Sequence, residues 1–351
     1  MTQKDRKYVT LDYPEVGATS PITSLTGIRG QVGCKCGCGN GKQCNCNDKC
    51  VCKIVYITGF YQSESTKTAF VYKGNVKGVG IWHNLNYPPI DGKPVITNLY
   101  GPSVEDNGQI KAVGNIFTTG KIQTSLGCLY QGNLGGKGRW SLIVPKIKVG
   151  KNQGYDTIVH STMDNLAVGN YSIYDIVDGK KVYGKLHAFI YNIDNNKFVY
   201  MTKPDGKSIS AYGIWKNDKN WYTICGGSVD GLQSKAYLVD YDEASKQLSN
   251  WQEYTYNNES SAITHFNGIY GNKCNNKYNL AGMTILDGVE IAFAATIKRK
   301  NICKFSKKAK WEQIIYPNAL SNTSNSVYKN IIIGVYRNDN TSGEAHGYSS
   351  F

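Results

Sequence analysis

The sequence predicts an all-β protein, a six-bladed β-propeller with four antiparallel strands per blade, closed by an N-terminal strand that completes the last blade. Three observations predict this fold. A glycine among apolar residues returns six times, at intervals of 52 to 57 residues. Further short patterns recur around it, so each unit holds four β-prone segments separated by turn residues. The last unit lacks its fourth segment, and the start of the chain contains one.

The glycine pattern marks the second strand of each unit, called strand B. It reads "YITGFY" in the first copy and "LAVGNY" in the third. The six glycines are Gly59, Gly114, Gly169, Gly226, Gly282 and Gly334. The nearly continuous apolar run is typical of a strand covered on both faces by neighbouring blades. A glycine at this position predicts that an aromatic side chain of a neighbour approaches the backbone closely.

The other three strands of a unit have patterns of their own. Strand A begins with Ile followed by Thr or Ser, as in "ITSLTGIRG" from Ile22 and "ITHFNGIYG" from Ile263. Strand C has a small residue before an aromatic or apolar one, as in "HAFIY" at Ala188. Strand D contains a Trp or Phe, as in "WEQIIYP" from Trp311. Such a ring would act as a wedge between blades, burying on the order of 150–250 Å².

The two ends of the chain predict how the ring closes. The last unit stops at "HGYSSF", which has the pattern of strand C. Residues 8–14, "YVTLDYP", match the pattern of strand D. We therefore expect them to pair beside residues 346–351, because the first and last blades would otherwise leave open sheet edges. The 351 residues then form one propeller domain.

One unit resembles a known family. The "AVGNY" around Gly169 is followed by "HAFIYN", in which His187, Ala188 and Phe189 are consecutive. This pairing resembles the bacterial repeats that are named for their His-Ala-Phe motif. The resemblance extends over about residues 53–351 at motif level and is specific in this unit alone. It implies a β-propeller and no particular catalytic residue.

A cysteine-rich stretch interrupts the first unit. Seven of the eleven cysteines lie in "CKCGCGNGKQCNCNDKCVC". They are Cys34, Cys36, Cys38, Cys44, Cys46, Cys50 and Cys52. The stretch belongs to residues 31–52, between strands A and B of the first blade, and is predicted to be an insertion in that loop. It is too short to hold a core of its own.

The chemistry of this insertion indicates a metal site. Its C-x-C spacing, with Gly, Asn and Lys between the cysteines, resembles metallothionein-type segments. Thiolates suit Zn²⁺, with Cu⁺ as the alternative metal. Two tetrahedral zinc ions that share one sulfur would use all the thiolates of the stretch, whereas one four-cysteine site would leave three spare. A disulfide-stapled loop and a set of free thiols are the other interpretations. The role would be structural, because an all-cysteine shell has no open position.

The hairpin between strands C and D of the fifth blade, "KRKNICKFSKKAK", carries the densest positive charge. Its basic residues are Lys298, Arg299, Lys300, Lys304, Lys307, Lys308 and Lys310. The hairpin predicts a site for a polyanion, nucleic acid included, or for another protein; a solvated hairpin tip is the alternative. A–B and C–D loops emerge on one face of a propeller, so Cys274 and Cys303 are candidates for an extra metal ligand. Cys128 and Cys225 lie inside strands and are expected in the core.

Evidence for catalysis in the sequence is weak. His160 and His265 lie on inner strands, so they are the candidates to face a ligand in the channel. No G-x-S-x-G, H-E-x-x-H or P-loop motif occurs. We therefore favour a non-enzymatic scaffold with a thiolate metal site. A basic nucleic-acid-associated protein and a hydrolase-like enzyme that uses the channel mouth are the alternatives.

The composition indicates where the protein is located and which kinds of partner it can bind. The net charge of +14 permits binding to a polyanion or to an acidic protein. No run of 18 apolar residues and no secretory leader is visible, so we expect no membrane span and an intracellular place, in the cytoplasm or in a virion. The Asn- and Lys-rich composition suggests a structural or accessory protein of a large DNA virus.

Overall fold

The computed structural model describes residues 6–14, 21–30, 54–63, 67–119, 122–135, 137–230, 233–272, 276–301, 304–339 and 343–351. These residues are almost entirely β, with one short 3₁₀ helix at Tyr256–Asn258. The strands form six antiparallel sheets, in which strands that follow one another in the chain are neighbours. The predicted fold class is therefore confirmed.

The strands are numbered in chain order. After β1 (Tyr8–Thr10), blades one and two consist of β2 (Ile22–Gly30), β3 (Val55–Gln62), β4 (Lys67–Gly74), β5 (Gly80–Asn84), β6 (Ile96–Val104), β7 (Ile110–Phe117), β8 (Ser125–Asn133) and β9 (Lys137–Ile143). Blades three and four consist of β10 (Gln153–Met163), β11 (Leu166–Val177), β12 (Lys180–Asn192), β13 (Lys197–Tyr200), β14 (Ser208–Asp218), β15 (Trp221–Asp230), β16 (Gln233–Asp242) and β17 (Gln247–Tyr254). Blades five and six consist of β18 (Ile263–Asn272), β19 (Lys277–Leu286), β20 (Val289–Asn301), β21 (Lys304–Gln313), β22 (Ser321–Asn322), β23 (Ser326–Tyr328), β24 (Ile331–Arg337) and β25 (His346–Ser350).

The innermost strands contact one another around an axis. β2 contacts β6, β6 contacts β10, and the series continues through β14 and β18 to β23, which contacts β2 again. The inner strand of blade six is divided into β22 and β23, which both pair with β24. The sheets therefore radiate from a central channel, and blades one and four lie on opposite sides of it.

The chain's beginning closes the ring, as predicted. In β1, Tyr8 is in register with Ser350 and Val9 with Ser349. The backbone N–H of Lys7 also donates to the carbonyl oxygen of Phe351 at 3.0 Å. β1 is thus the outer strand of blade six, whose other strands come from the opposite end of the sequence.

The recurrent glycines of strand B are required by close approach. A Cβ at Gly226 would lie 1.8 Å from the carbonyl oxygen of Ser210, on strand A of the same blade. At Gly169 a Cβ would also lie 2.7 Å from Cζ of Phe189. The ring belongs to strand C of the same blade, so the expected approach by a neighbour's ring is wrong. Because glycine has no side chain, strand B leaves room there for both strand A and the strand C ring of the same blade.

The cores lie between adjacent blades. The Trp311 ring of strand D packs edge-on against Phe293 of strand C, with ring centroids 4.9 Å apart. Both belong to a buried cluster that includes Cys225 and Tyr254 of the preceding blade. Cys128 and Cys225 are fully buried free thiols, which confirms their predicted place in the core.

Blade five extends beyond blade six. β20 has 13 residues, whereas the corresponding strand of blade six, β25, has 5. The far end of the β20–β21 hairpin therefore overhangs its neighbour. This overhang carries the basic residues that the sequence singled out.

Candidate functional site

The predicted metal site lies outside the described residues. This holds for the seven cysteines of the insertion and for Cys274 and Cys303. Within the described ranges, no group of three or more His, Cys, Asp or Glu side chains could hold a metal ion. Zinc binding by the insertion stays a prediction.

Six lysines of blade five form a continuous basic surface on β20 and β21, named here the lysine surface. They are Lys298, Lys300, Lys304, Lys307, Lys308 and Lys310. All six side chains are exposed, and none has an ion pair with another described residue. These six positive charges are therefore available to bind a negatively charged partner.

A bulge in β21 presents two of these lysines. Ile297 is in register with Ala309 and Arg299 with Phe305, so residues 306–308 lie opposite the single residue Lys298 of β20. The bulge is held in place by Tyr254, whose hydroxyl donates to the carbonyl oxygen of Ser306 at 2.8 Å. Lys307 and Lys308 therefore stand out from the sheet.

Arg299, also predicted to bind a polyanion, has a different environment. Its guanidinium donates to both carboxylate oxygens of Asp240, at 2.6 and 2.9 Å. It also donates to Thr223 and Tyr278, and it lies 4.3 Å from the ring centroid of Phe305. The ion pair raises the pKa of Arg299 against the opposing effect of burial. This side chain links blades five and four, and its charge is already matched.

A groove of about 770 Å³ lies between blades five and six, beside the lysine surface. Lys310 and Lys329 line it, as does Arg6, which is ion-paired with Glu312 at 2.7 Å. Because Arg6 and Glu312 neutralise each other, Lys310 adds an unbalanced positive charge to the groove. The groove therefore continues the positive surface inwards.

The central channel is lined by residues at equivalent positions of the inner strands. In blades one to five they lie in a β-bulge of strand A, and in blade six they lie between β22 and β23. These residues, named the axial ring, are Thr26, Tyr100, His160, Tyr212, Asn267 and Asn325. Each keeps accessible surface, although both of its chain neighbours are buried.

The two predicted channel histidines occupy different depths. His160 is in the axial ring, between the rings of Tyr100 and Tyr212 at 5.2 and 4.5 Å. Burial lowers the pKa of His160 to about 3, so the imidazole is neutral at physiological pH. His265 lies two residues before Asn267, and its Nδ1 is 3.4 Å from Oγ of Ser234. In the described part of the chain, the two histidines share neither a hydrogen bond nor a ring contact.

Carboxylates are scarce along the channel. In the described parts of the inner strands only Asp156 and Asp218 are acidic. Asp156 accepts hydrogen bonds from Lys181 at 2.6 Å and from the backbone N–H of Ser125 at 2.8 Å. Hydrolysis of a glycosidic bond commonly needs two carboxyl groups that face each other. These described strands offer no such pair.

Comparison with known proteins identifies no family. No protein-family model matches the chain, and no curated protein sequence matches it significantly. Similar solved structures include the α-L-arabinanase of Penicillium chrysogenum complexed with arabinobiose (12% identical, TM-score 0.47, covering 98% of this chain and 97% of that one). They also include a polysaccharide lyase described as an ulvan lyase (8%, TM-score 0.46, 84% and 76%). These values are too low for the similarities to bear on activity.

No helix in the described ranges is long and apolar enough to cross a membrane. An intracellular place and a viral source stay predictions.

Sequence reasoning missed one residue of the channel. Arg29, near the end of β2, is only 5% exposed and contacts blades three and four. The signal was "GIRG", where an arginine occupies a strand A position that is aromatic in blades four and five. A basic residue beside a loop is ordinarily solvated, so this pattern by itself does not predict a buried arginine.

Proposed function

We propose that this chain is a non-enzymatic propeller scaffold whose lysine surface docks a polyanionic partner. The observation that carries the proposal is the set of six exposed lysines on two adjacent strands, without ion pairs among the described residues. A nucleic-acid backbone is the polyanion that fits best, since lysine neutralises phosphates as a mobile point charge.

The chemistry of the surface favours binding without sequence preference. Its aromatic neighbours, Phe305 and Trp311, are buried in the core between blades, so they offer no face on which a base could stack. Arg299, the residue best suited to recognise a base edge, is engaged by Asp240. The lysine side chains are left to make the contacts. They bind phosphates, which carry no sequence information.

The channel supports a scaffold rather than an enzyme. His160 has a pKa near 3, far from the operating pH at which a general acid or base is effective. Asp156, an acid of the inner strands, is held by Lys181. A hydrolase-like activity therefore has little support from the described groups.

The proposal also includes a structural metal site in the cysteine insertion. Thiolates at C-x-C spacing bind Zn²⁺ well, with Cu⁺ as the alternative. In propeller topology A–B loops and C–D hairpins emerge on the same face, so we expect the insertion on the side of the lysine surface. A metal-stabilised loop there would give a docked partner a second point of contact.

The test is binding of a fluorescein-labelled 20-base-pair DNA duplex, followed by fluorescence anisotropy between 50 and 200 mM salt. If about six lysines contact phosphates, affinity should fall roughly 10³-fold over this range. Replacing Lys304, Lys307 and Lys308 by Glu should reduce the slope of log affinity against log salt by about 3.

A matched control carries the same change of charge elsewhere. Lys146, Lys148 and Lys151 are exposed and lie between blades two and three. Their triple replacement by Glu should leave the slope of the duplex titration nearly unchanged. Equal losses in the two triple variants would mean that net charge, and not this surface, binds the duplex. No binding at 50 mM salt would end the proposal.

A further inference from the structure

The axial ring marks a space deep inside the disc. In β2 the residues Ile22, Ser24 and Thr26 keep accessible surface, whereas every residue from Gly27 to Gly30 is buried. In this strand the accessible positions thus run from its start down to the ring and stop there. Strand A starts on the face of the B–C loops, so the space opens towards that face.

One half of the ring is aromatic. Tyr100, His160 and Tyr212 come from the consecutive blades two, three and four and contact one another. Burial raises the pKa of Tyr100 to about 12 and lowers that of His160 to about 3. These side chains are therefore poorly solvated, yet each keeps surface that a water molecule can reach. An internal pocket with an aromatic wall accounts for both facts.

The other half is polar. Asn267 donates to the carbonyl oxygen of Ser324 at 3.2 Å, and Asn325 donates to that of Leu25 at 2.7 Å. Both amide NH₂ groups are thereby fixed against the next blade. Neither Oδ1 atom has a partner among the described residues. The polar wall therefore offers two acceptors to a ligand that carries a hydrogen-bond donor.

Below the ring the inner strands of adjacent blades approach closely. A Cβ at Gly27 would lie 2.6 Å from Cα of Gly101, and one at Gly101 would lie 2.8 Å from Cα of Ser161. Arg29 reaches across the channel at this level. From blade one, its Nη2 donates to Oγ of Ser161 in blade three at 3.3 Å and to the carbonyl oxygen of Ile214 in blade four at 3.2 Å.

The guanidinium of Arg29 must therefore lie near the axis, since blade four faces blade one across the channel. Ser161 directly follows His160, which puts the guanidinium about one residue, ~3.3 Å along the strand, below the ring. Its Nη1 donates to the carbonyl oxygen of Ile28 at 3.0 Å, and its Nε is buried without a partner. A positive charge thus forms the floor of the pocket.

No described carboxylate balances this charge. Arg29 has only neutral hydrogen-bond partners, and burial lowers its pKa to about 10, which leaves it protonated at neutral pH. A buried cation without a counter-charge is costly, and proteins normally pair it. An anion that enters the pocket would supply the missing charge.

We propose that this axial pocket binds a small planar carboxylate that carries a hydroxyl group. The carboxylate would pair with the guanidinium of Arg29, the planar part would lie against Tyr100, His160 and Tyr212, and the hydroxyl would donate to an amide oxygen of Asn267 or Asn325. The site is separate from the lysine surface and does not depend on the function proposed for it.

The test compares 4-hydroxybenzoate with its neutral isostere 4-hydroxybenzamide by isothermal titration calorimetry. The carboxylate should bind at least tenfold more tightly than the amide to the unmodified chain. Arg29→Met should abolish the difference between the two. The variant with Lys304, Lys307 and Lys308 replaced by Glu should keep it, which separates this site from charge attraction by the surface.

A second measurement needs no variant and so covers the case in which Arg29→Met does not fold. Crystals of the unmodified protein soaked in 4-bromobenzoate should show an anomalous bromine peak on the axis, within contact of the His160 ring. Equal affinity for the carboxylate and the amide, or a bromine peak that lies only elsewhere on the protein, overturns the proposal.

Discussion

The guanidinium of Arg299 is paired with the carboxylate of Asp240 across the junction between blades five and four. The two nitrogen–oxygen distances are 2.6 and 2.9 Å, and Asp240 is only 1% exposed. The pair explains why a single arginine occurs in a run of lysines. A planar fork can hold both carboxylate oxygens at once, which an ammonium group cannot.

Asp240→Asn should lower the free energy of unfolding by about 3 kcal/mol, because it removes the buried carboxylate that accepts two hydrogen bonds from the largely buried guanidinium of Arg299. Urea denaturation measures the change. Asp242→Asn is the matched control, since Asp242 is exposed on the same strand, and it should change stability by less than about 0.5 kcal/mol. Similar losses in both variants would contradict a special role for the pair.

Gly226→Ala should destabilise the fold by about 3 kcal/mol, at the upper end of what overpacking costs. The added Cβ would lie 1.8 Å from the carbonyl oxygen of Ser210, and backbone on that side cannot move without shifting strand A. Gly150→Ala is the control, because the nearest atom to its Cβ is the flexible end of Gln153 at 3.2 Å. Thermal unfolding should separate the two variants by several degrees.

The repeat could be predicted from the sequence because its signals are local. Gly226 and its five counterparts are needed in every copy of the blade, so they recur at a regular spacing. The N-terminal strand is predictable in the same way, since the pattern of strand D is absent from the last unit and present at the start of the sequence. Patterns of this kind depend on hydrophobic periodicity, which any copy displays.

The environment of single charges could not be predicted in this way. Arg29 lies beside a loop and Arg299 lies in a basic run, and both positions suggest a solvated side chain. Their partners, Ile214 and Asp240, are distant in the chain and meet them only after the blades have packed. The bulges that aim the axial ring inwards add one residue to a strand, and the side chains that they aim at the axis differ in type from blade to blade.

Lys7→Pro should weaken the closure of the ring by about 1 to 3 kcal/mol, because proline removes the N–H that donates to Phe351. Lys7→Ala keeps this backbone bond. Since the side chain is exposed, the alanine variant should stay within about 0.5 kcal/mol of the unmodified protein. Indistinguishable urea midpoints for the two variants would show that the pairing of β1 adds little to stability.

His160 should make the protein acid-sensitive. The unfolded chain protonates this residue below about pH 6.5, whereas in the folded chain burial holds its pKa near 3. Between these values protonation favours the unfolded state, so this contribution to stability is present above pH 6.5 and is lost as the pH falls. The loss at pH 4.5 should be about 2 to 3 kcal/mol.

The measurement is urea denaturation of the unmodified protein and of His160→Phe at pH 7 and pH 4.5. The phenylalanine ring keeps the contacts with Tyr100 and Tyr212 and cannot be protonated, so its loss between the two pH values should be smaller. His83→Phe is the control, because the His83 ring is partly exposed and should contribute less. An identical pH dependence of the unmodified protein and His160→Phe would refute the assignment.

Metal removal tests the cysteine insertion. Protein purified under reducing conditions should contain two zinc ions per chain if the thiolates share a bridging sulfur, and one if four cysteines form a single site. Chelation should then release thiols that react with a thiol reagent. Cys128 and Cys225 should stay silent in the folded protein, because burial raises the pKa of both thiols and hides them. Replacing Cys44 and Cys46 together by Ser should lower the zinc content, whereas Cys128→Ala should leave it unchanged. An unmodified protein without metal, whose insertion thiols all react, would rule the site out.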